Sequence, residues 1–184
     1  MKQLLLFSAL LVLFACNRQA VPTNPSTDNL PKVDAEANLR KLGINLPKAS
    51  SPVANYVNAV RTGNLIFLSG KGPLKEDGKY ITGKVGKDLS IEQGYEAART
   101  VGINQLAALK TELGDLNKVK RIVKVLGMVQ CTPEFTDQPK VMNGYSDLMV
   151  AVFGERGKHA RSAVGMIALP SNIAVEVEMI VEVE

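Results

Sequence analysis

The chain ends on the most regular stretch it contains. Val175, Val177, Met179, Val181 and Val183 alternate with Glu176, Glu178, Ile180 and Glu182. A period of two with an apolar set on one side defines a strand that buries one face. Ser162 to Leu169 is its expected neighbour, with Pro170-Ser171-Asn172 as the turn between them. Near the other end, Tyr56 to Arg61 and Leu65 to Leu68 are β-prone runs joined at Thr62-Gly63-Asn64, a hairpin signal. Val119 to Gln130 is dense in Val, Ile, Leu and Met and reads as a further strand.

Two stretches carry helical spacing. Ser90 with Gln93 fits a capping box, apolar residues recur through Ala97, Val101, Leu106 and Leu109, and Gly114 is placed as the stop. Gly94 and Gly102 each weaken this helix by roughly 1 kcal/mol relative to Ala, a cost that close packing on a sheet would offset. A second helix is expected from Asp137 to Phe153, with Pro139 in its first turn and Gly154 after it. The order β-β-α-β-α-β-β predicts an α+β domain, a sheet with two helices on one face.

Before Ser51 the pattern is different. Residues 1–16 run from Lys2 through an uncharged apolar stretch, Leu4 to Ala15, to Cys16. That is the layout of a secretory signal, and the apolar run falls short of the roughly 20 residues a spanning helix needs. Leu13-Phe14-Ala15-Cys16 resembles a bacterial lipobox, which makes Cys16 the expected lipidation site. An ordinary signal or an uncleaved anchor is the alternative. Residues 17–50 read as a flexible tether, rich in Asn, Thr, Ser and Pro at first, with a short helix from Asp34 to Leu42 stopped by Gly43. Residues 51–184 are the expected domain. The expected location is the periplasmic or cell-envelope face of a membrane, held there by the lipid.

Composition narrows the chemistry. The 184 residues are 46% hydrophobic and 22% charged, as in a globular protein, and the chain has no Trp. Its core must come from Val, Ile, Leu, Ala and Met. The net charge of +4 is scattered. Lys118, Lys120, Arg121 and Lys124 form the nearest thing to a cluster, with no aromatic residues interleaved, and read as a solvated face. Nucleic acid is therefore not an expected partner. There is one His, His159, and of the two Cys only Cys131 remains once Cys16 carries lipid. No intramolecular disulfide follows, no metal site or cofactor is expected, and Cys131 reads as a buried, inert thiol.

Several landmarks in order carry a resemblance. They are Tyr56-Val57 leading through Gly63-Asn64 to Ser69-Gly70, and the capped helix with Asn104. Asn143 and Tyr145 follow, then Ala160-Arg161-Ser162, then Leu169-Pro170 ahead of Val175-Glu176-Val177-Glu178. Together they resemble the Rid (YjgF-type, reactive intermediate deaminase) family. The resemblance implies a chorismate-mutase-like fold, a homotrimer with ligand clefts between subunits, and hydrolytic deamination of a small enamine or imine acid. It makes Arg161 the carboxylate anchor and Glu176 the residue that positions or activates water, both catalytic. It makes Tyr56, Ser69 and Asn143 substrate-binding.

An arginine suits that task because its fork meets a carboxylate with two parallel hydrogen bonds and stays charged. Plainer readings stand beside these. Arg161 could pair with a Glu at an interface, and Glu176 could be one of several solvated carboxylates on its strand. Ser69 could simply stabilise a turn. His159 is expected at the surface. Two positions depart from the family: Ala163 stands where a Cys is common, and Lys71 replaces a Gln, which brings charge towards the expected cleft. A binding module that captures a small carboxylate without turnover is the competing function.

Overall fold

Alternation foretells which segments are strands and is silent on how they pair. A computed structural model describes residues 30–184, so the signal-like segment, Cys16 and the first part of the tether lie outside the described residues. The strands are β1 (Ala59–Thr62), β2 (Leu65–Lys71), β3 (Val119–Gln130), β4 (Ala160–Met166) and β5 (Val175–Val183). The helices are α1 (Ala35–Lys41), α2 (Ile91–Leu113) and α3 (Gln138–Phe153). The sheet has the order β1-β2-β5-β3-β4. Every pairing is antiparallel except β3 with β4.

The expected pairing of the last two strands is corrected here. The segment ending at Met166 runs parallel to β3 at the sheet edge, and β5 lies between β2 and β3. Parallel neighbours need a crossover, which α3 supplies, so β4 is committed to β3 before β5 is reached. Beyond β4, Pro170–Asn172 forms a 3₁₀ turn in which Ser171 and Asn172 adopt φ of 55° and 56°. The chain is thereby returned across β3 to its other edge. There β5 alternates as the sequence predicts, with Val175, Val177, Met179, Val181 and Val183 buried.

The helix signals hold locally. Ser90 accepts from the Gln93 N–H while the Gln93 side chain accepts from the Ser90 N–H, a closed capping box, and Gly114 ends α2 at φ 74°. Pro139 lies in the first turn of α3 and Gly154 follows its end. The two glycines of α2 face α3, not the sheet. A Cβ at Gly94 would meet Val141 at 3.0 Å, and one at Gly102 would meet Leu148 at 2.8 Å. On the other side, a Cβ at Gly144 of α3 would run into the Tyr95 carbonyl oxygen. Missing side chains thus let α2 and α3 approach each other closely, as a paired layer over one face of the sheet.

The packed unit also reaches further back than Ser51. Asp34 caps α1 by accepting from the Ala37 N–H at 2.8 Å, and Ala35 and Leu39 are core residues. Glu36 bonds Lys110 at 2.7 Å, and the Asn38 amide donates to the Val152 carbonyl at 2.9 Å. Ile44, Leu46 and Ala49 continue the contact with the core. Residues 35–49 therefore belong to the folded body, not to a free tether. A seven-residue helix with two core positions is too short for its periodicity to announce that.

Cys131 is buried in the core and free, with the Gln138 amide 3.6 Å from its sulfur. The basic cluster is dispersed by the strand. Lys118 donates to the Leu113 carbonyl, Arg121 pairs with Glu182 at 3.2 Å, and Lys124 donates to the Ser162 hydroxyl. The sheet face away from the helices stays open, with Phe67 42% and Val164 39% exposed and Leu126, Met128 and Ile180 half-buried beside them.

Candidate functional site

Arg161 is the second residue of β4 and stands opposite Val125 of β3, which in turn faces Met179 of β5. Both neighbours are buried under the helices, so the arginine projects to the helix side at the sheet edge. There α3 supplies its partners. Nη1 donates to the Asn143 side-chain carbonyl at 3.0 Å and to the Ser146 hydroxyl at 2.9 Å, and Nη2 to the Pro139 carbonyl at 3.4 Å. All three acceptors are neutral. Among the described residues no carboxylate pairs with Arg161. Among these residues the guanidinium is held in place by neutral oxygens, with no ion pair of its own.

Ser146 and His159 extend this group, and sequence reasoning missed both roles. Ser146 Oγ lies 3.0 Å from His159 Nε2, and His159 Nδ1 lies 2.7 Å from the Gly157 carbonyl oxygen. The ring is half-buried, edge-on to buried Tyr145 with 6.5 Å between centroids, and is not the surface residue expected. Burial pushes the imidazole below its usual range, and neighbouring Arg161 pushes the same way, against the Gly157 carbonyl. No spacing rule could have found this pair, because the α3–β4 packing creates it.

A second group forms around Glu176. Opposite Glu176 on β3 is Met128, and opposite Met128 on β4 is Val164, so the carboxylate lies on the open face. On its other side β2 bulges between Leu68 and Lys71, bringing Ser69 and Gly70 alongside. Glu176 packs so closely over Gly70 that a Cβ there would collide with Oε1. Burial raises the Glu176 pKa above its usual 4.5, and the charge of Glu178 adds to that. Ser69 donates its hydroxyl to the Val57 carbonyl at 2.6 Å and its N–H to the Asn58 carbonyl at 3.0 Å. Beneath the bulge, fully buried Gln105 donates to the carbonyls of Ser69 at 3.1 Å and Val177 at 2.7 Å. Those bonds replace ladder contacts that the bulge removes.

Lys71 does not enter this group. It pairs with Val177 across β2 and β5, so its side chain points to the helix side, away from Glu176. Its ammonium donates to Asn58 at 2.5 Å and Ser50 at 3.3 Å, and burial lowers its pKa. Charge at position 71 is thus spent tying the N-terminal segment to β2. Tyr56 stands 46% exposed in the loop before β1.

The structure therefore joins Asn143 to Arg161, and Glu176 to the Ser69–Gly70 bulge. It does not bring Arg161 and Glu176 together within one chain, because they face opposite sides of the sheet with β3 between their strands. A separate groove of about 410 Å³ lies under the N-terminal segment, lined by Ile44, Lys48, Leu74, Arg99 and Ile103, and shares no residue with either group.

Sheet order, helix layer and split polar groups together define a chorismate-mutase-like α+β domain of the Rid type. The family described as “YjgF/chorismate mutase-like, putative endoribonuclease” matches residues 36–183, and the chain belongs to it. It is similar to Protein TCP17 of Trypanosoma cruzi, with 45% identity over 79% of this chain and 92% of that protein. It is similar to the 2-iminobutanoate/2-iminopropanoate deaminase of Dermatophagoides farinae, with 28% identity over 77% of this chain and 95% of that enzyme. Among solved structures, the Agrobacterium tumefaciens protein Atu1372, of unknown function, superposes with a TM-score of 0.76 and 44% identity. That match covers 82% of this chain and 92% of the other.

Proposed function

We propose that the protein hydrolyses a small imine or enamine carboxylic acid to a 2-oxo acid and ammonia. The observation that carries this reading is the guanidinium of Arg161, fixed by three neutral oxygens from α3 with no carboxylate partner among the described residues. Such a group is prepared to receive a carboxylate on two parallel N–H bonds. The anchored acid holds its C=N carbon in one place, which removes orientational freedom from the reaction.

Glu176 supplies the second half. A carboxylate whose pKa is raised by burial is a better base for water than an exposed one. It takes a proton as water oxygen attacks the C=N carbon and the π pair moves to nitrogen. It returns that proton to nitrogen to give a carbinolamine, then carries the carbinolamine hydroxyl proton to the same nitrogen, so that the C–N bond breaks, ammonia leaves and the carbonyl forms. An enamine enters by first tautomerising to the imine.

Arg161 and Glu176 face opposite sides of their sheet, so a complete cleft takes one group from each of two copies. A homotrimer of the family type fits that need, and the open apolar face with Phe67, Leu126, Met128, Val164 and Ile180 supports it. The lipobox-like Leu13-Phe14-Ala15-Cys16 supports export and a lipid anchor at Cys16.

The test generates imines in the assay from amino acids with an amino-acid oxidase and follows imine loss. Faster loss with wild type and not with Arg161→Ala is the expected result. No acceleration for any imine, with Arg161-dependent thermal stabilisation by carboxylic acids, would replace the enzyme by a binding module.

A further inference from the structure

The hydrogen bonds around Ser146 have one consistent polarity. A carbonyl oxygen only accepts, so the 2.7 Å contact with Gly157 puts the ring hydrogen of His159 on Nδ1. Nε2 is then a bare acceptor, and at 3.0 Å the Ser146 hydroxyl donates to it. With its hydrogen so directed, Ser146 Oγ offers its lone pairs to Arg161 Nη1, 2.9 Å away. The chain of donation runs from Arg161 through Ser146 and His159 to Gly157.

A proton on Nε2 breaks this order. The imidazolium must donate, and the acceptor within reach is the same Ser146 oxygen that Arg161 uses. Two cations would then aim at one hydroxyl. The surroundings offer little relief. Ser146 and buried Tyr145 on α3 are neutral, Arg161 is the charge contributed by β4, and on the turn Lys158 is paired with Glu155 at 2.7 Å. Among the described residues no carboxylate pairs with His159. Burial and Arg161 both disfavour the charged ring, so the ordered arrangement is the one held at neutral pH.

We propose that His159 is a positioning residue for the carboxylate anchor: its neutral ring orients Arg161 through Ser146, and its protonation releases the guanidinium. This rests on the reading of Arg161 as the anchor. It adds an acid-sensitive step on the binding side of the cleft, distinct from any titration of Glu176. Neither Ser146 nor His159 is required to touch the substrate. Ligand affinity therefore falls as pH drops below the ordinary histidine value of 6.5, and holds above it.

The experiment measures binding of 2-oxobutanoate to the mature protein by calorimetry from pH 8 to pH 5. Wild type, His159→Gln, Ser146→Ala and Arg161→Ala are compared. Wild type is expected to lose about tenfold in affinity across that range, the weight of one charge-assisted hydrogen bond. A glutamine side chain accepts from Ser146 without titrating, so His159→Gln binds with nearly constant affinity over the same range. Ser146→Ala binds weakly at both ends. A pH dependence kept intact by His159→Gln, or wild-type affinity in Ser146→Ala, overturns the proposal. Wild-type affinity in Arg161→Ala instead overturns the anchor reading beneath it. A second measurement needs no ligand: ¹⁵N NMR of His159 should show the Nδ1–H tautomer, with Arg161 Nε shifting at the same apparent pKa. An Nε2–H tautomer, or an Arg161 signal that ignores the titration, also overturns it.

Discussion

The Gly70 backbone lies directly beneath the Glu176 carboxylate, with no room between them for a single methyl group. The contact fixes where Glu176 can point, so the bulge in β2 and the position of the carboxylate are one structural fact. Gly70→Ala is expected to displace Glu176 and to cost about 1–3 kcal/mol of stability through overpacking. Imine turnover should fall by about 10²-fold or more, the usual weight of a general base. Carboxylate binding should change little, since Arg161 belongs to the other group. A melt combined with kinetics and calorimetry separates these effects.

Arg161→Lys tests the fork against the charge. Lysine keeps the charge and loses the paired geometry that meets a carboxylate. A fall in kcat/KM of about 10- to 100-fold is expected, with a larger loss for Arg161→Ala. Equal activity of the lysine variant and wild type would show that simple attraction is enough.

Glu176 carries a pH signature of its own. Its folded pKa is raised above 4.5, so ionising it costs more in the folded state than in the unfolded chain. The stability it contributes is full below pH 4.5 and is lost as pH rises through the folded value. Glu176→Gln should therefore melt higher than wild type at pH 7, with the difference shrinking towards pH 4. The same variant should lose turnover at every pH. Melting curves at several pH values, taken beside imine assays, check both.

At Gly144 the usual helix rule reverses. Gly→Ala inside a helix ordinarily gains about 1 kcal/mol. Here the new methyl group would meet the Tyr95 backbone carbonyl, which cannot swing aside as a side chain would. Gly144→Ala should destabilise by about 3 kcal/mol as α2 and α3 are forced apart, measured by urea unfolding.

Cys16→Ala addresses location. If Cys16 carries lipid, the wild-type protein fractionates with membranes and the variant moves to the soluble or secreted fraction. Two or more acyl chains anchor a protein stably while salt strips peripherally bound protein, so salt-washed membranes give the sharper comparison.

Caps, stops and strand alternation are set by neighbours a few residues apart, and so they are legible in the sequence. Ser90 with Gln93, Gly114, Gly154 and the Val175–Val183 alternation all stand in the structure as their spacing predicts. Residues 35–49 read as tether because a helix with two core positions shows its packing only when the surface it covers is known. Asn143, Arg161 and Glu176 can be named because they recur in a recognisable family pattern, yet that pattern is silent on their faces. Ser146, His159, Gln105 and Gly70 give no such signal, since each acts through a contact made by packing.

The sequence by itself determined the elements, the glycine positions, the family and the residue types available for chemistry. Tertiary structure alone decided that β5 inserts between β2 and β3, that Arg161 and Glu176 face opposite ways, and that Lys71 points away from Glu176. Local patterns record periodicity and capping, which extend over a few residues. Strand order and the facing of a side chain depend on which distant surfaces bury one another, and that information exists only once the sheet and the helix layer have closed.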